Sequence, residues 1–465
     1  MNRKSALDKI KDKKFKKLCE IIVSEMKRLD VPGVSVGIWH AGEEFGAGFG
    51  ITSVENPLPV NADTLFQVGS ISKTFTGTLL MRLVELGKLD LDAPVRTYLP
   101  HLQLSDPDVT GNVTTRHLLT HTGGWTGDYF NDFGNGNNAL AKMVKKLAKL
   151  PQITPLGEVW SYNNTGFNIA GRLVEVLTKK PYETAAQNIL FNPLGLDMSF
   201  FYPNDLLITH RFAAGHLKRD GKVKVARPWA VGRATNPVGG VVSTIKDLLT
   251  YARFHMGDGK SASGEQIISR ESLEAMRVPQ AEAGGRGKIG LTWFMRSSQA
   301  GDLTIFGHGG ATHGQQAVLQ FIPEKNFAVA ALTNSDDGGM ITDNLLQWAL
   351  ELYFDTALPI PTPTQKPDSD LKEYAGTYDL PLSAFTLEAK DGHLVQNEIP
   401  RGGFPTPDTP PGPPSPPVRL AFYDQDRVIG LDEPGKGALG EFLRDKKGKL
   451  AFFRIGGRVH PKIQI

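Results

Sequence analysis

Thr64-Leu65-Phe66-Gln67-Val68-Gly69-Ser70-Ile71-Ser72-Lys73-Thr74-Phe75-Thr76-Gly77-Thr78-Leu79-Leu80 is the stretch on which the reading of this chain turns. An extended apolar approach stops at Gly69, and a helical pattern begins. Phe75, Leu79, Leu83 and Leu86 recur at helical spacings and share one apolar face. Gly87 stands where a helix stop is expected. Ser70 therefore opens a buried helix, with Lys73 one turn later on the same face. The unpaired N–H groups and positive dipole end at such a place favour anionic character. A serine hydroxyl and a lysine amine held together there make an arrangement for generating a nucleophile. Ser-x-x-Lys alone equally describes a helix cap followed by a solvated lysine, so the rest of the chain has to choose.

Outward from the tetrad, the 465 residues are enough for one large domain and a smaller one. A formal charge of +3 implies no nucleic-acid or polyanion partner. The single cysteine, Cys19, excludes an internal disulfide framework and fits a reducing, cytoplasmic setting. No run reaches the roughly 18 apolar residues of a membrane span. Met1 to Lys17 is rich in lysine, but no apolar signal core follows. Ile10, Phe15, Leu18, Ile22 and Leu29 instead mark one face of an amphipathic helix. A homo-oligomer is compatible with the chain, and the sequence leaves oligomeric state open.

Val34 to Trp39 and Glu44 to Ile51 read as two strands before the serine helix, joined at Ala41-Gly42. His117 and His121, four apart, could share a helix face. No His-Glu-x-x-His pattern or acidic partner accompanies them, so they read as structural histidines and no metal is expected. Thr126 to Asn138, rich in Gly, Asn and Asp, reads as a surface loop flanked by Trp125 and containing Tyr129 and Phe130. Tyr162 and Asn164 fall at a loop-to-helix junction, where polar side chains project and where an Asn cap is equally at home. Asn236 to Gly240 reads as a tight turn, followed by a Thr244-to-Asp247 capping box. Leu303 to Phe306 reads as extended and leads to Gly307-His308-Gly309-Gly310-Ala311. Ala317 to Ile322 and Phe327 to Leu332 form a hairpin, and Ile341 to Phe354 a closing helix.

Pro359-Ile360-Pro361-Thr362-Pro363 can neither continue a helix nor join a central strand, so 359–367 is expected to link a domain over 1–358 to one over 368–465. Past it come short strand candidates: Leu371 to Tyr378, Phe385 to Ala389, His393 to Asn397, Val418 to Tyr423, Arg427 to Leu431, Glu441 to Arg444 and Leu450 to Ile455. Such spacing predicts a small antiparallel barrel or sandwich. Gly402 to Pro417 holds eight prolines and is expected to be an exposed loop.

In order, the chain carries Ser70-x-x-Lys73, Tyr162-x-Asn164 and His308-Gly309-Gly310. With the text around them, these motifs resemble the serine β-lactamase and penicillin-binding-protein superfamily, and within it the class C, D-aminopeptidase and esterase branch. The resemblance covers roughly residues 20 to 355. It implies an α/β (α+β) fold with an antiparallel sheet flanked by helices, an all-helical subdomain and the nucleophile between them; the C-terminal strands would add a lipocalin-like barrel. It further implies an oxyanion hole at the backbone N–H groups of Ser70 and Ala311, and no cofactor. Either Lys73 as a neutral amine or Tyr162 as a phenolate could take the serine proton, and the sequence leaves that open. Asn164 is suited to holding Lys73 and the substrate. Where carboxylate-binding relatives read Lys-Thr-Gly, this chain reads His308-Gly309-Gly310, and a histidine is mostly neutral at pH 7. That favours a neutral small-molecule ester, or an amide or peptide of either configuration, over a β-lactam or a D-Ala-D-Ala terminus. A non-catalytic binding protein on the same fold is the alternative from another class.

Overall fold

The fold is seen in a computed structural model that describes residues 7–201, 210–229 and 231–463; Arg3 and Lys4 of the basic start lie outside them. Eight strands form the main antiparallel sheet: β1 (Gly33–His40), β2 (Glu43–Gly50), β3 (Ala281–Glu282), β4 (Lys288–Ile289), β5 (Phe294–Ser297), β6 (Thr304–Thr312), β7 (Gln315–Ile322) and β8 (Phe327–Thr333). Their spatial order is β2-β1-β8-β7-β6-β5-β4-β3. β8 is buried along its whole length because both sheet faces are covered. Val329 and Ala331 pack into one apolar cluster, while Ala328, Ala330 and Leu332 pack into the other.

The first cluster is closed by two helices, α1 (Lys13–Arg28) and Gly339–Phe354. α1 starts where the Asp12 carboxylate accepts the Phe15 N–H at 2.7 Å, and it buries Phe15, Leu18, Ile22 and Met26. Each such side chain is worth about 1.5–3 kcal/mol when fully buried. The second cluster joins the sheet to the helical half of the molecule. There lie α2 (Ser72–Glu85), α3 (Asn164–Thr178) and α4 (Ile245–Met256). Thr244 caps α4 by accepting the Asp247 N–H at 3.2 Å. The Asp247 carboxylate, however, serves Met198 and Ser199, so only half of the expected capping box forms.

Beyond residue 363 an eight-stranded antiparallel meander runs from Gly376–Leu380 to Arg458–Pro461. It comes close to closing into a barrel through the Tyr378–Lys462 bridge and the Ile463 N–H donated to the Thr377 carbonyl at 2.8 Å. Tyr374, Tyr378, Phe422, Phe442 and Phe453 fill its interior.

Four elements differ from the sequence reading. Ser70 lies in a 3-10 turn, Gly69–Ile71, that feeds α2. Asn236–Gly239 is one turn of helix. The expected strand from Leu371 begins only at Gly376, because Asp368–Leu371 is helical. β6 does not stop at Phe306 but runs through His308-Gly309-Gly310 to Thr312.

Candidate active site

Lys73 is completely buried, and its Nζ donates to Ser70 Oγ at 3.0 Å and to the Val238 carbonyl at 2.9 Å. The apolar face of α2 draws the lysine stem inward, and the one-turn helix Asn236–Gly239 supplies the carbonyl that fixes its end. Burial pushes the amine well below its ordinary pKa, and the nearby Arg458 guanidinium adds to the effect, against a smaller opposing pull from Asp128. The hydroxyl of Tyr162 is buried with no hydrogen-bond partner among the described residues, yet close enough to Ser70 for the serine to lower its pKa. Its ring lies 4.9 Å from Lys73 Nζ and stacks on His121 at 4.4 Å. Burial raises the phenol to about 12. An amine that sheds its proton readily thus sits beside a phenol that keeps its own.

Beside them, β6 meets the serine turn. A Cβ on Gly310 would stand 1.9 Å from the Val68 carbonyl and 3.0 Å from the Ser70 nitrogen; one on Gly69 (φ +52°) would stand 2.6 Å from the Ala311 nitrogen. Only glycine permits this approach, and it places the Ser70 and Ala311 amides side by side. Gly309 is roomier, with nothing nearer than 3.8 Å. His308 is buried. Its Nδ1 pairs with the Gly309 carbonyl at 2.5 Å, and Nε2 has no hydrogen-bond partner among the described residues. Burial, with a further push from Lys73, lowers it to about 3. The ring is held neutral at pH 7, more firmly than the sequence implies.

Asn164 is not bonded to Lys73. Its amide donates to Asp128 Oδ1 at 2.5 Å, and its own Oδ1 is buried and unpaired. The expected grip on Lys73 comes from Val238 instead. Asn163, not Asn164, caps α3, accepting the Gly166 N–H at 2.8 Å. His117 and His121 part company: His117 completes a capping box with Thr114, while His121 Nδ1 accepts the Asn163 N–H at 2.9 Å.

Sequence reasoning missed three charged groups. Asp128 comes from the Gly-rich loop, and Arg458 from the barrel's last strand; they form a half-buried ion pair, with Nη2 3.2 Å from Oδ1. Arg458 reaches the site because the barrel hairpin around Gly456-Gly457 docks on residues 160–162. The Tyr162 N–H donates to the Gly457 carbonyl (2.8 Å), Arg454 to the Trp160 carbonyl (3.0 Å), and the Val459 N–H to Ser161 Oγ (3.2 Å). The third group, Arg286, holds its guanidinium over the Phe294 ring at 5.6 Å, and among the described residues that guanidinium has no hydrogen bond or ion pair. No spacing rule links these positions to Ser70. All of them line one cavity of about 700 Å³ with Ser70, Tyr162, Asn164 and His308. The site therefore holds fixed positive charge on Arg286, with Arg458 paired to Asp128, rather than on a lysine in the third motif.

Residues 19–352 match the family model described as beta-lactamase. The chain belongs to the β-lactamase family. This family member is 34% identical over 364 residues to penicillin-binding protein 4 of Amycolatopsis lactamdurans, covering 75% of this chain and 93% of that protein. It is 30% identical over 343 residues to a β-lactamase of Providencia stuartii, covering 68% and 85%. Among solved structures it is similar to SurE, at 25% identity and a TM-score of 0.77, covering 97% of this chain and 99% of that one. SurE with D-Leu gives a TM-score of 0.74 at the same identity and coverage. The likeness to SurE extends past the family match into the barrel.

Proposed function

We propose that the chain is a serine hydrolase that works through an acyl-enzyme on a small ester or on an amide or peptide, D-configured substrates included. The carrying observation is Ser70 Oγ bonded to a buried Lys73 that, among the described residues, has no carboxylate within ion-pair distance to hold its proton. The neutral amine takes the Ser70 proton as Oγ attacks the carbonyl carbon. The oxyanion forms beside the Ser70 and Ala311 amides. On collapse the leaving group takes a proton from Tyr162, which the Lys73 ammonium replaces. Water then repeats the sequence on the acyl-serine. The raised phenol favours Tyr162 as this donor and Lys73 as the base. The D-configured option draws on the likeness to SurE, one of whose structures holds D-Leu. A cytoplasmic setting belongs to the same reading and rests on composition alone.

A chromogenic ester should give a burst of about one equivalent of phenol per chain when deacylation is slower than acylation. Ser70→Ala should abolish both burst and turnover while melting within a few degrees of the parent. Turnover in Ser70→Ala would sink the proposal. Arg286 favours a second substrate class, carboxylate-bearing β-lactams, since an unpaired guanidinium is suited to that group. Nitrocefin hydrolysis that falls in Arg286→Gln more than ester hydrolysis does would support it.

A further inference from the structure

The cavity around Ser70 is far larger than an acetyl-sized substrate needs, since about 700 Å³ matches pockets that enclose whole drug-sized ligands. Its charged end is at Arg286 and Arg458. Away from them the wall mixes polar groups such as Thr235 and Gln316 with apolar ones, and an aromatic part of it is built by two segments without regular structure: the Gly-rich loop, through Phe130, and the Pro-rich loop of the barrel, through Phe404. The two rings meet edge to face, centroids 5.0 Å apart at 71°. Phe404 also lies 6.3 Å from the ring of His313, at the tip of the β6–β7 hairpin. The Pro-rich loop holds the ring there by its own closure. Gly403 donates to the Thr409 carbonyl at 2.9 Å, and Thr409 to the Thr406 carbonyl at 3.0 Å. Leu382 lines the cavity behind it, in the space a side chain on Gly403 would enter. Phe404 nevertheless stays 37% exposed.

We infer that Phe130 and Phe404 form a subsite for a bulky apolar group of the substrate, an aromatic or branched aliphatic side chain, and that Phe404 makes the barrel a determinant of specificity. This rests on the serine hydrolase reading for its chemistry but not for its binding. An apolar ring entering the site removes its own surface and the exposed face of Phe404 from water, and aromatic neighbours add edge-to-face attraction. The polar wall at Arg286 would leave the other end of the same substrate solvated.

Two measurements test it. Calorimetry on the full-length Ser70→Ala protein compares the unreactive amides 3-phenylpropionamide and propionamide. The phenyl amide should bind at least about tenfold more tightly. Phe404→Ala and Phe130→Ala, each added to Ser70→Ala, should remove most of that ratio, and Phe404→Leu should keep most of it. In the Ser70 protein, kcat/KM for ethyl 3-phenylpropanoate over ethyl propanoate should show the same ordering. Equal affinity for the two amides, or a ratio that Phe404→Ala leaves unchanged in a protein of parental melting temperature, would overturn the subsite. Should neither ester be hydrolysed while the amides are still discriminated, the hydrolase reading fails and the subsite stands.

Discussion

At Lys73 the decisive contest is between desolvation and charge. A lysine in water holds its proton to about pH 10.4. Here complete burial and Arg458 both disfavour the ammonium, and Asp128, which favours it, is already neutralised by Arg458. Arg458→Gln reverses part of this balance. It removes the repelling cation and leaves Asp128 as a free anion, so the Lys73 pKa rises. If neutral Lys73 is the base, the acidic limb of the kcat/KM profile moves to higher pH. Tyr162 loses the cation that lowers its own pKa, so the alkaline limb moves up as well. A limb that stays put or moves down would show that Lys73 is not the group titrating there. His308 contributes no limb between pH 5 and 8, being lowered to about 3. The chemical types of Ser70, Lys73, Tyr162 and His308 are legible in the sequence because their motifs are local. Asp128, Arg286 and Arg458 are not, because only tertiary packing gathers three isolated charges into one cavity.

Among the elements, β6 and the serine turn carry the account. A sequence reading ends β6 at Phe306, since Gly307, Gly309 and Gly310 are poor strand residues by propensity. The strand continues because Gly310 must let the Val68 carbonyl approach, and pairing with β7 from Phe306 to Thr312 holds the register. Gly310→Ala puts a methyl 1.9 Å from that carbonyl and forces the strand away from the Ser70 amide. A lost oxyanion donor costs about 10²–10³ in kcat, so a fall of that order is expected in ester turnover. Gly309→Ala, in its roomier position, should cost at least about tenfold less. Equal effects would mean that the approach of β6 to Ser70 does not set the oxyanion site. The barrel's last strand, for which the sequence offers no reading, has a similar cause. Arg458–Pro461 is four residues ending in proline, too short to register as a strand, and it pairs only because Leu450–Ile455 lies alongside. The sheet, α1 and the closing helix are legible because their apolar periods agree with the faces they bury.

Over the whole molecule, the two sheets meet at the candidate site. The main sheet and helical half supply Ser70, Lys73, Tyr162 and His308. The barrel supplies Arg458, Phe404 and the Gly457 carbonyl that pins Tyr162. We propose the division at 359–367 as a boundary in the chain only, since the barrel hairpin completes the cavity. Among the described residues no helix is long and apolar enough to cross a membrane. The catalytic reading of this assembly depends on Ser70 Oγ being the atom that is acylated. Treatment of the full-length protein with a fluorophosphonate, followed by intact mass and peptide mapping, reads that directly. One adduct per chain is expected, on the peptide containing Ser70, and none in Ser70→Ala; an adduct on another residue, or undiminished labelling of Ser70→Ala, would overturn the assignment of Ser70 as nucleophile.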